Sequence, residues 1–508
     1  MSIISRAISA LRHKPTQNIV QGNGIMDWTP SAEARKVCPQ LCRMWEAAIT
    51  DAQTMAWFGD GGLTAYELRE QMPIIRRRCR EGSKNDPYIV RALQLYKNNI
   101  VGAHGIKLTM DVAGANDETD METSDLIEKA WKLWSESPEY CDVEGGKTLT
   151  AILNLAVTNW KLEGEALIQF AHDEENPFGI SLRVLRPDAL ALDLIRPDTD
   201  KENAIYNGVE VDGVGRPVGY WFRRQILPNG QFTGLAYRVP ARQILHLFTQ
   251  DESDQRRGVP VFASVLKDLR ILHAYTIAEL IAARVDAART GSWKQDEAGD
   301  TSKLGKFVPG IGLTQNTEPG EDRIIPYGWD YKPDAPTRPN GAYGPFNKAQ
   351  MRRISSGLNL SYPTLSNDLE GVSYSSIRAG TLEDREVYMG MQTEVIDKLL
   401  RPLFRRRDGW LDAYLASDRA RRAGLSVTDA YRIREADTWL PRRWEWVDPQ
   451  SEAAAKEIAV KHHWTTDSEI AAEAGKDYFE NIETARQETE WKNAKGVDTE
   501  ENNGQRNG

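Results

Sequence analysis

Residues 237–290 read YRVPARQILHLFTQDESDQRRGVPVFASVLKDLRILHAYTIAELIAARVDAART, and this stretch decides the fold. Its first part, 237–248, alternates and is rich in Val, Ile and Leu, which predicts a half-buried strand. A polar loop follows, and Pro260 then occupies a position that suits the first turn of a helix. No Pro or Gly interrupts the thirty residues after Pro260. The pattern predicts a helix over 260–290, about 45 Å long, which needs packing partners along its whole length.

Size and composition point to an ordinary globular protein of two or more domains. The chain has 508 residues, of which 40% are hydrophobic and 27% charged. Its 64 basic and 74 acidic residues give a net charge of −10, which argues against a protein that holds DNA by general phosphate neutralisation. It does not exclude one that lets DNA slide past. No run approaches about eighteen apolar residues, so we expect no membrane span, and the start has no signal-peptide pattern.

Cysteine and histidine usage predicts neither a disulfide framework nor a metal site. Cys38, Cys42, Cys79 and Cys141 are too few to crosslink a chain of this length, and no second Cys or His pair stands at zinc-site spacing. We therefore expect reduced thiols in a cytoplasm, and no cofactor.

Upstream of this stretch, the pattern changes from helices to strands. Apolar residues at helical spacing predict helices over 31–58, 67–80, 86–100, 126–134 and 148–161. Alternating residues then predict strands over 165–170, 181–186, 208–211 and 217–224, the last two joined by a hairpin turn. Helices, then a largely antiparallel sheet, then a long helix make an α+β arrangement.

Downstream of residue 290 the composition becomes rich in Gly, Pro, Asp and Thr. Residues 291–340 predict an irregular excursion, too long for an ordinary connection, that forms a small subdomain or a functional projection. The remaining predictions are a helix over 345–360, a polar loop over 362–376, a second long helix over 377–407, further helices over 408–472 and a disordered tail from residue 483.

No catalytic motif survives a test against its required context. Gly145-Gly146-Lys147-Thr148 ends like a phosphate-binding loop, but Cys141 occupies the position of its first glycine and no apolar strand precedes it. The glycines at 213–219 miss the dinucleotide-binding spacing by one residue and lie between strands. HExxH, GxSxG and EF-hand patterns do not occur, so the sequence predicts no enzyme.

Two local patterns have both a structural and a functional interpretation. The run IIRRRCR at 74–80 could contact nucleic acid, but it is short and has no aromatic neighbours, so a solvated helix face is favoured. Trp131 and Trp134 lie on one amphipathic helix, which predicts core positions. Trp444 and Trp446 share one face of a strand, where they either belong to the core, the favoured interpretation, or anchor a partner.

Several segments, taken together, resemble the portal proteins of tailed bacteriophages, in particular the lambda-type portal family. The most specific part is RVPA-x-x-ILH followed by RRGVP and then YSS-x-R. The segments occur in the family's order; they are NDPYIVRALQLYKNNIVGAHGIKL (85–108), WKLWSESPEYCDVEGGKTL (131–149), IYNGVEVDGVGRPVGYWF (205–222), RVPARQILHLF (238–248), QRRGVPVF (255–262), GLNLSYPTLSNDLEGVSYSSIRAG (357–380) and RRWEWVDPQSEAAAKE (442–457).

One departure from the family pattern concerns the turn after the last of these segments. The family usually continues with a glycine before Thr, whereas this chain has His462-His463-Trp464. The resemblance therefore does not predict the conformation of this turn.

The resemblance implies a ring of usually twelve subunits at one vertex of the capsid, with double-stranded DNA packaged and ejected through its central channel. It implies docking of the terminase motor through its large subunit, then of head-completion or adaptor proteins, and contact with the major capsid or scaffold protein. It implies no enzymatic activity, no cofactor and no membrane. The protein would be part of the virion, at the head–tail connector, after assembly in the cytoplasm of the bacterial host.

The resemblance also divides the chain into the parts of a portal subunit, and each assignment is an analogy. The expected parts are a flexible N-terminal arm (1–30), an α+β wing (31–259), a stem helix (260–290), a clip (291–340), a second stem helix (341–361), a channel loop with a long wing helix (362–407), C-terminal crown helices (408–482) and a disordered tail (483–508).

A channel that passes DNA without holding it should present few uncompensated Lys and Arg, since phosphate contacts accumulate affinity. The acidic balance of the chain fits this requirement. The residues that we expect to line or approach the channel are Ser366, Asn367, Asp368, Tyr374, Ser375 and Ser376. The arginines that supply either limited phosphate contact or surface and intersubunit ion pairs are Arg352, Arg353 and Arg378.

Two other classes of protein stay open on the residues alone. A ring-forming capsid or adaptor protein that never contacts DNA would show no salt-dependent effect on packaging. A cytoplasmic enzyme with an unrecognised site would be a monomer or a small oligomer with a deep pocket.

Overall fold

The computed structural model describes residues 65–114, 120–199, 202–225, 232–288, 292–295, 306–308, 312–314, 329–332, 341–370, 373–444, 449–473 and 478–495. The arm expected over 1–30 and the helix predicted over 31–58 lie outside these ranges, as does Trp446. Most of the excursion at 291–340 also lies outside them.

The first described part of the chain consists of α1 (Ala65–Asn85), α2 (Pro87–Ile100), β1 (Lys107–Met110), α3 (Met121–Glu136), α4 (Pro138–Cys141) and α5 (Leu149–Glu163). Asp86 caps α2, because its carboxylate accepts the backbone N–H groups of Tyr88 and Ile89, and Pro87 occupies the predicted first position. Thr148 caps α5 in the same way. The predicted helix starts follow from these caps.

Antiparallel sheets come next and confirm the α+β class. The strands are β2 (Glu165–His172), β3 (Ile180–Leu185), β4 (Ala204–Tyr206), β5 (Val209–Val211), β6 (Pro217–Gln225), β7 (Phe232–Pro240) and β8 (Ile244–Phe248). One sheet has the order β3-β2-β8 and the other β4-β5-β6-β7. Because β2 pairs on both sides and helices cover it, its consecutive residues Ala166, Leu167 and Ile168 are all buried.

The strand predicted over 237–248 is two strands in different sheets. β7 ends at Pro240, which has no N–H to continue the ladder, and a 3₁₀ turn at Ala241–Gln243 leads into β8. β7 pairs with β6, whereas β8 pairs with β2 in the other sheet. The apolar alternation continues across this turn, so the pattern alone did not reveal the break.

The long helix starts later than the sequence predicts. Pro260 has an extended ψ of 134° and precedes a 3₁₀ turn at Val261–Ser264, and the α-helix α6 spans Leu266–Ala288. It packs against α7 (Tyr343–Gly357), which corresponds to the helix predicted over 345–360 but begins and ends a few residues earlier. The ring of Tyr275 on α6 lies 5.9 Å from that of Tyr343.

Between α6 and α7, the excursion leaves and returns through paired strands. β9 (Ser292–Gln295) is antiparallel to β12 (Trp329–Lys332), with Gln295 opposite Trp329. Between them, β10 (Lys306–Val308) and β11 (Gly312–Thr314) form another antiparallel pair. The β9–β12 pair brings the two ends of this segment together.

The segment predicted as a polar loop over 362–376 is partly helical. A short helix, α8, spans Tyr362–Ser366, and the long helix α9 spans Tyr374–Val395, so it begins inside the predicted loop. Ser373 sets this start, because its hydroxyl accepts the backbone N–H of Ser376.

The long helix continues past α9 with an irregularity. A π-helical segment, Ile396–Leu400, joins it to α10 (Arg401–Arg405). Pro402 explains the π turn, because it has no N–H and its ring excludes the carbonyl four residues earlier. The N–H of Arg401 accordingly donates to the carbonyl of Ile396, five residues back.

The C-terminal part consists of α11 (Trp410–Ala416), α12 (Asp418–Arg422), α13 (Ala430–Ile433), β13 (Asp437–Leu440), α14 (Pro449–Lys461), α15 (Asp467–Glu473) and α16 (Tyr478–Lys495). β13 returns to the first part of the chain and pairs with β1, with Trp439 opposite Leu108. Among the helices in the described ranges, none has both the length and the apolar content that a membrane span requires.

Aromatic side chains fill the core where α3, α11 and β13 meet. The ring of Trp131 lies 5.1 Å from Trp134, 5.0 Å from Trp410 and 5.4 Å from Trp439. Trp134 donates its ring N–H to the carbonyl of Ile180 at 3.0 Å. The prediction that Trp131 and Trp134 belong to the core is confirmed, since both are buried.

The turn after α14 keeps a regular form despite its unusual residue. His463 adopts the left-handed conformation with φ of 58°. Its N–H donates to the carbonyl of Val460 at 3.0 Å, and the N–H of Trp464 donates to that of Ala459 at 2.9 Å. This pair of bonds is a Schellman helix end, in which glycine is the usual left-handed residue.

The prediction of disorder from residue 483 is wrong for its first part. Residues up to 495 form α16, while 496–508 lie outside the described ranges. Charged residues pair along this helix, with Arg486 2.8 Å from Glu483 and 4.0 Å from Glu490. Pairs three and four residues apart stabilise a helix that has no apolar stripe, which is why periodicity missed it.

Candidate functional site

Three of the expected channel residues form one turn at the end of α8. Ser366 donates its hydroxyl to the carbonyl of Tyr362 at 2.7 Å and accepts the N–H of Asp368 at 3.2 Å. Asn367 lies between them in the left-handed conformation, with φ of 57°. Of the three side chains, that of Asn367 is the exposed one. The turn is therefore held by its own hydrogen bonds.

Asp368 is the charged centre of this turn. Its carboxylate accepts the hydroxyl of Tyr362 at 2.6 Å and the N–H of Glu370 at 3.0 Å, and lies 3.2 Å from the ammonium of Lys348. The hydrogen bond from Tyr362, then those from Glu370 and Lys348, lower the pKa of Asp368 to about 2. The carboxylate is thus ionised and already paired within the subunit.

The other expected channel residues lie at the start of α9 and on α7. Ser376 is exposed, and its backbone N–H donates to the hydroxyl of Ser373. The side chains of Tyr374 and Ser375 lie outside the described set. Arg378 is half-buried in the next turn of α9. α8 is tied to α9 by Asp384, which accepts the hydroxyls of Ser361 and Thr364.

The two arginines on α7 point to different neighbours. Arg352 lies over the ring of Tyr362, 5.5 Å from its centroid, so it joins the turn at 361–370. Arg353 instead pairs with Asp268 of α6 at 3.0 Å. Since this arginine is 71% exposed, the pair between the two helices is a weak one.

A buried cluster that sequence reasoning missed lies where the polar loop meets the sheets. Glu165, the first residue of β2, is fully buried and pairs with Arg76 of α1 at 2.8 Å and with Arg257 of the loop at 2.5 Å. His246 of β8 contacts the same carboxylate at 3.0 Å. We call these four residues, Glu165, Arg76, Arg257 and His246, the root cluster, because the long helix α6 starts just after it.

The root cluster corrects the prediction for residues 74–80. Arg76 is 2% exposed, and Arg80 pairs with Glu163 at 2.7 Å and with Asp188 at 2.6 Å. Only Arg77 and Arg78 of the arginine run are exposed, as a solvated face requires. Arg76 and Glu165 are 89 residues apart, so no local sequence signal indicates this pairing.

Ionisation in the root cluster is set by burial and by the two arginines. Burial alone would raise the pKa of Glu165, but the charges of Arg257 and Arg76 hold it well below its usual value. Burial lowers the pKa of His246, against the opposing effect of Glu165. The cluster therefore holds a carboxylate, two guanidinium groups and a neutral imidazole near neutral pH.

Two glycines let the backbone close over the cluster. Gly164 has φ of 92°, and a Cβ at Gly258 would lie 1.9 Å from the carbonyl oxygen of Gly164. The N–H of Gly258 points to Glu165 at 3.4 Å. Only residues without side chains fit this crossing of the α5–β2 connection and the polar loop.

The loop that resembled a phosphate site is closed on itself. Lys147 pairs with Asp142 at 3.0 Å and with Glu144 at 2.7 Å. The N–H of Gly146 also donates to Asp142, at 3.2 Å. In the described part of the chain, no cluster of His, Cys, Asp or Glu could hold a metal ion.

The long helix α6 presents apolar side chains on a side that no described residue covers. Leu269 and Leu272 are buried beside α7, whereas Leu280 is 65% and Ile281 58% exposed. Ile277 joins these two at helical spacing. Large apolar side chains that lie together and exposed on one side of a helix mark a candidate interaction surface.

The chain belongs to the phage portal proteins of the lambda family, whose family model, "Phage portal protein, lambda family", matches residues 50–392. This confirms the resemblance seen in the sequence. The protein is therefore a portal subunit, which stands at a vertex of the phage capsid where DNA is packaged. The α+β architecture described above is the portal fold.

Two relatives and one solved structure illustrate the similarity. The probable portal protein of Halomonas phage phiHAP-1 is 29% identical over 470 residues, which cover 89% of this chain and 87% of that protein. Portal protein B of Escherichia phage lambda is 24% identical over 458 residues, 82% of this chain and 83% of that protein. The neck of an empty gene transfer agent particle is similar with 17% identity and a TM-score of 0.48, over 84% of this chain and 98% of that one.

Proposed function

We propose that this portal subunit assembles into a closed ring, of twelve copies as the family resemblance implies, around a channel for double-stranded DNA. The observation that carries the proposal is the uncovered apolar side of α6. A ring uses head-to-tail contacts, in which one side of a subunit meets a different side of the next. One side of α6 packs on α7 of its own subunit, and no residue in the described ranges covers the other, so a neighbouring subunit would bind there.

Energetics favour this use of the helix. Complete burial of a Leu or Ile side chain contributes about 1.5–3 kcal/mol, and the uncovered side of α6 offers Ile277, Leu280 and Ile281 in each subunit. Because a ring repeats the contact at every interface, the contribution grows with the number of subunits. A monomer that left this side in water would forgo all of it.

Replacement of Leu280 and Ile281 by Arg tests the ring. The matched control is Leu235→Arg on β7, because Leu235 is also an exposed leucine, 94% accessible, but lies far along the chain from α6. Mass photometry and negative-stain images should show rings for the wild type and the control, and folded single subunits for the α6 variant. Rings of unchanged size in the α6 variant would remove α6 from the subunit interface.

We further propose that the turn at 361–370 approaches the channel, with Ser366, Asn367 and Asp368 at its tip and Tyr374, Ser375, Ser376 and Arg378 at the start of α9. Asp368 is paired with Lys348, which leaves little unbalanced charge to hold phosphates. Arg352 beside Tyr362 would give limited contact to the DNA backbone. Arg353, paired with Asp268, would serve the two-helix stem instead.

Asn367→Gly is the sharpest test of the channel position. Glycine accepts the left-handed conformation, so the change removes the exposed side chain and leaves the turn in place. We expect intact rings and fewer DNA-filled capsids, measured by nuclease-protected DNA per particle. Asn359→Gly is the matched control, since Asn359 is also left-handed, with φ of 52°. Equal packaging in both variants would contradict the channel position.

The proposed partners follow the parts of the subunit. The projection closed by β9 and β12 would face the large terminase subunit, which supplies the packaging force, so that the portal itself carries out no chemistry. Head-completion proteins would later occupy the same end, and the major capsid or scaffold protein would contact the outer surface. Assembly would take place in the host cytoplasm before the portal enters the virion.

A further inference from the structure

Charge is distributed unevenly along this acidic chain. Residues 401–443 contain eleven Arg, no Lys and six acidic residues, a net charge of +5 within a protein whose total is −10. The segment covers α10 to β13, and it is the opposite of what a uniformly acidic, DNA-repelling subunit would contain. A local basic excess of this kind marks either internal ion pairing or an anionic partner.

Internal contacts explain one part of these arginines. Arg405 pairs with Asp437 at 2.5 Å and Arg432 with Asp120 at 2.7 Å, while Arg434 pairs with Asp412. Arg406 is half-buried and donates to backbone carbonyls, that of Ile244 at 2.7 Å. Arg406 and Arg432 connect the C-terminal part to β8 and to the start of α3, and all four side chains already have partners within the subunit.

The other arginines are exposed, and all but Arg421 lack a carboxylate partner among the described residues. Arg407, Arg419 and Arg422 are exposed, and within the described ranges none of them has a carboxylate at ion-pair distance. Arg421 pairs with Asp418, but the two side chains are 66% and 74% exposed, so water screens this pair strongly. We call Arg407, Arg419, Arg421 and Arg422 the arginine patch.

Three arginines of the patch share one short helix. Arg419, Arg421 and Arg422 lie on α12, and Arg407 precedes α11, the helix before it in the chain. Arg419 is held over the ring of Phe178, 5.2 Å from its centroid. Arginine without lysine suits phosphate, because the guanidinium group can bind two phosphate oxygens at once.

From this placement we propose that the arginine patch binds the phosphate backbone of double-stranded DNA. A portal stands where DNA is packaged, so DNA is the polyanion that this surface would meet. The choice of ligand therefore rests on the family of the protein and not on the proposed ring. The contact is independent of base sequence, because arginines on a surface reach phosphates and not base edges. It gives the subunit a small DNA-holding surface apart from the turn at 361–370.

The experiment compares two double variants that remove the same charge. Arg419→Gln with Arg422→Gln removes the unpaired part of the patch, and Arg183→Gln with Arg216→Gln removes two exposed arginines of β3 and the β5–β6 turn. Fluorescence anisotropy of a labelled duplex measures binding by each purified full-length protein between about 50 and 200 mM NaCl. Thermal unfolding checks that each variant is folded.

We expect the patch variant to bind more weakly and its slope of log affinity against log salt to be lower by about 2, one for each lost phosphate contact. The β3 control should keep the wild-type slope. Arg419→Lys with Arg422→Lys keeps the charge and should restore most of the binding.

Three results would overturn the proposal. They are wild-type protein that does not bind the duplex at low salt, equal weakening in the patch and control variants, and a patch variant that binds normally. Loss of assembly in the patch variant, seen by mass photometry, would make the patch a contact between copies instead. The test does not require rings, so its failure is separate from failure of the α6 interface.

Discussion

Two ionised carboxylates, Glu165 in the root cluster and Asp368 in the turn at 361–370, differ in how far they are buried. Both have a lowered pKa and both have hydrogen-bonded partners. Glu165 is fully buried between two arginines, whereas the partner of Asp368, Lys348, is 37% exposed. Water reaches Asp368 and Lys348 but not Glu165, so stability should depend more on the root cluster than on the turn at 361–370.

The largest effect should come from Glu165→Gln. The change leaves Arg76 and Arg257 as buried charges without their main counterion, which costs about 3–5 kcal/mol of unfolding free energy. Asp368→Asn removes the same charge from the turn at 361–370 and should cost far less, because water screens its contacts. Urea unfolding at matched protein concentration measures both. Similar losses in the two variants would remove the distinction between the regions.

Gly258→Ala should come next, with a loss of about 1–3 kcal/mol. The new methyl group would lie 1.9 Å from the carbonyl oxygen of Gly164, so the backbone over the root cluster has to move. Gly390→Ala on α9 is the control, since beyond the neighbouring backbone of its own helix no described atom lies within 4 Å of the added methyl group. That change should raise stability by about 0.5–1 kcal/mol, because alanine favours a helix. A change in stability of the same sign in both variants would argue against the close approach of Gly258 to Gly164.

As the pH falls, the contributions of His246 and Glu165 to stability should be lost in different pH ranges. Burial lowers the pKa of His246 below 6.5, so its contribution is present above that pH and is lost as the pH falls through the lowered value. The contribution of Glu165 persists further, since its pKa lies well below 4.5, and is lost in stronger acid. In the wild type, the thermal midpoint should decline just below pH 6.5 and again in stronger acid. In His246→Gln, the first decline should be absent and the second should remain. An unchanged profile would mean that His246 does not titrate with folding.

The smallest effect should be a gain, from His463→Gly. His463 closes α14 in the left-handed conformation, which glycine adopts without the steric cost of a Cβ. Thermal unfolding should show stabilisation of about 0.5–1 kcal/mol. The same measurement on Asn367→Gly should show less, because asparagine tolerates this conformation better than histidine. A loss of stability in His463→Gly would mean that the imidazole contributes more than its left-handed backbone costs.

Much of the fold could be predicted from local patterns. Asp86-Pro87 and Thr148 marked helix starts, and the spacing of Trp131 and Trp134 marked a core face, because caps and periodicity act within one or two turns. The family was visible in motifs such as RVPA-x-x-ILH. These signals are short-range, and the structure agrees with them.

What could not be predicted depends on residues far apart in sequence. The pairing of Arg76 with Glu165 joins positions 89 residues apart, and no local pattern distinguishes this arginine from the exposed Arg77. The change of sheet at Pro240 and the helix α16 were missed for another reason. The pattern of side chains does not determine the backbone at either place: Pro240 lacks the N–H that would continue β7, and ion pairs stabilise α16.

The antiparallel pair β9–β12 has a consequence for how such a subunit can change. Gln295 and Trp329 are register partners, so the chain leaves the pair and comes back to it at adjacent positions about 5 Å apart. Anything inserted, shortened or exchanged between these two residues leaves the rest of the subunit with the same anchor points. Recombination between phages could therefore replace this segment as a cassette, and a laboratory chimera could join the two strands through a short turn.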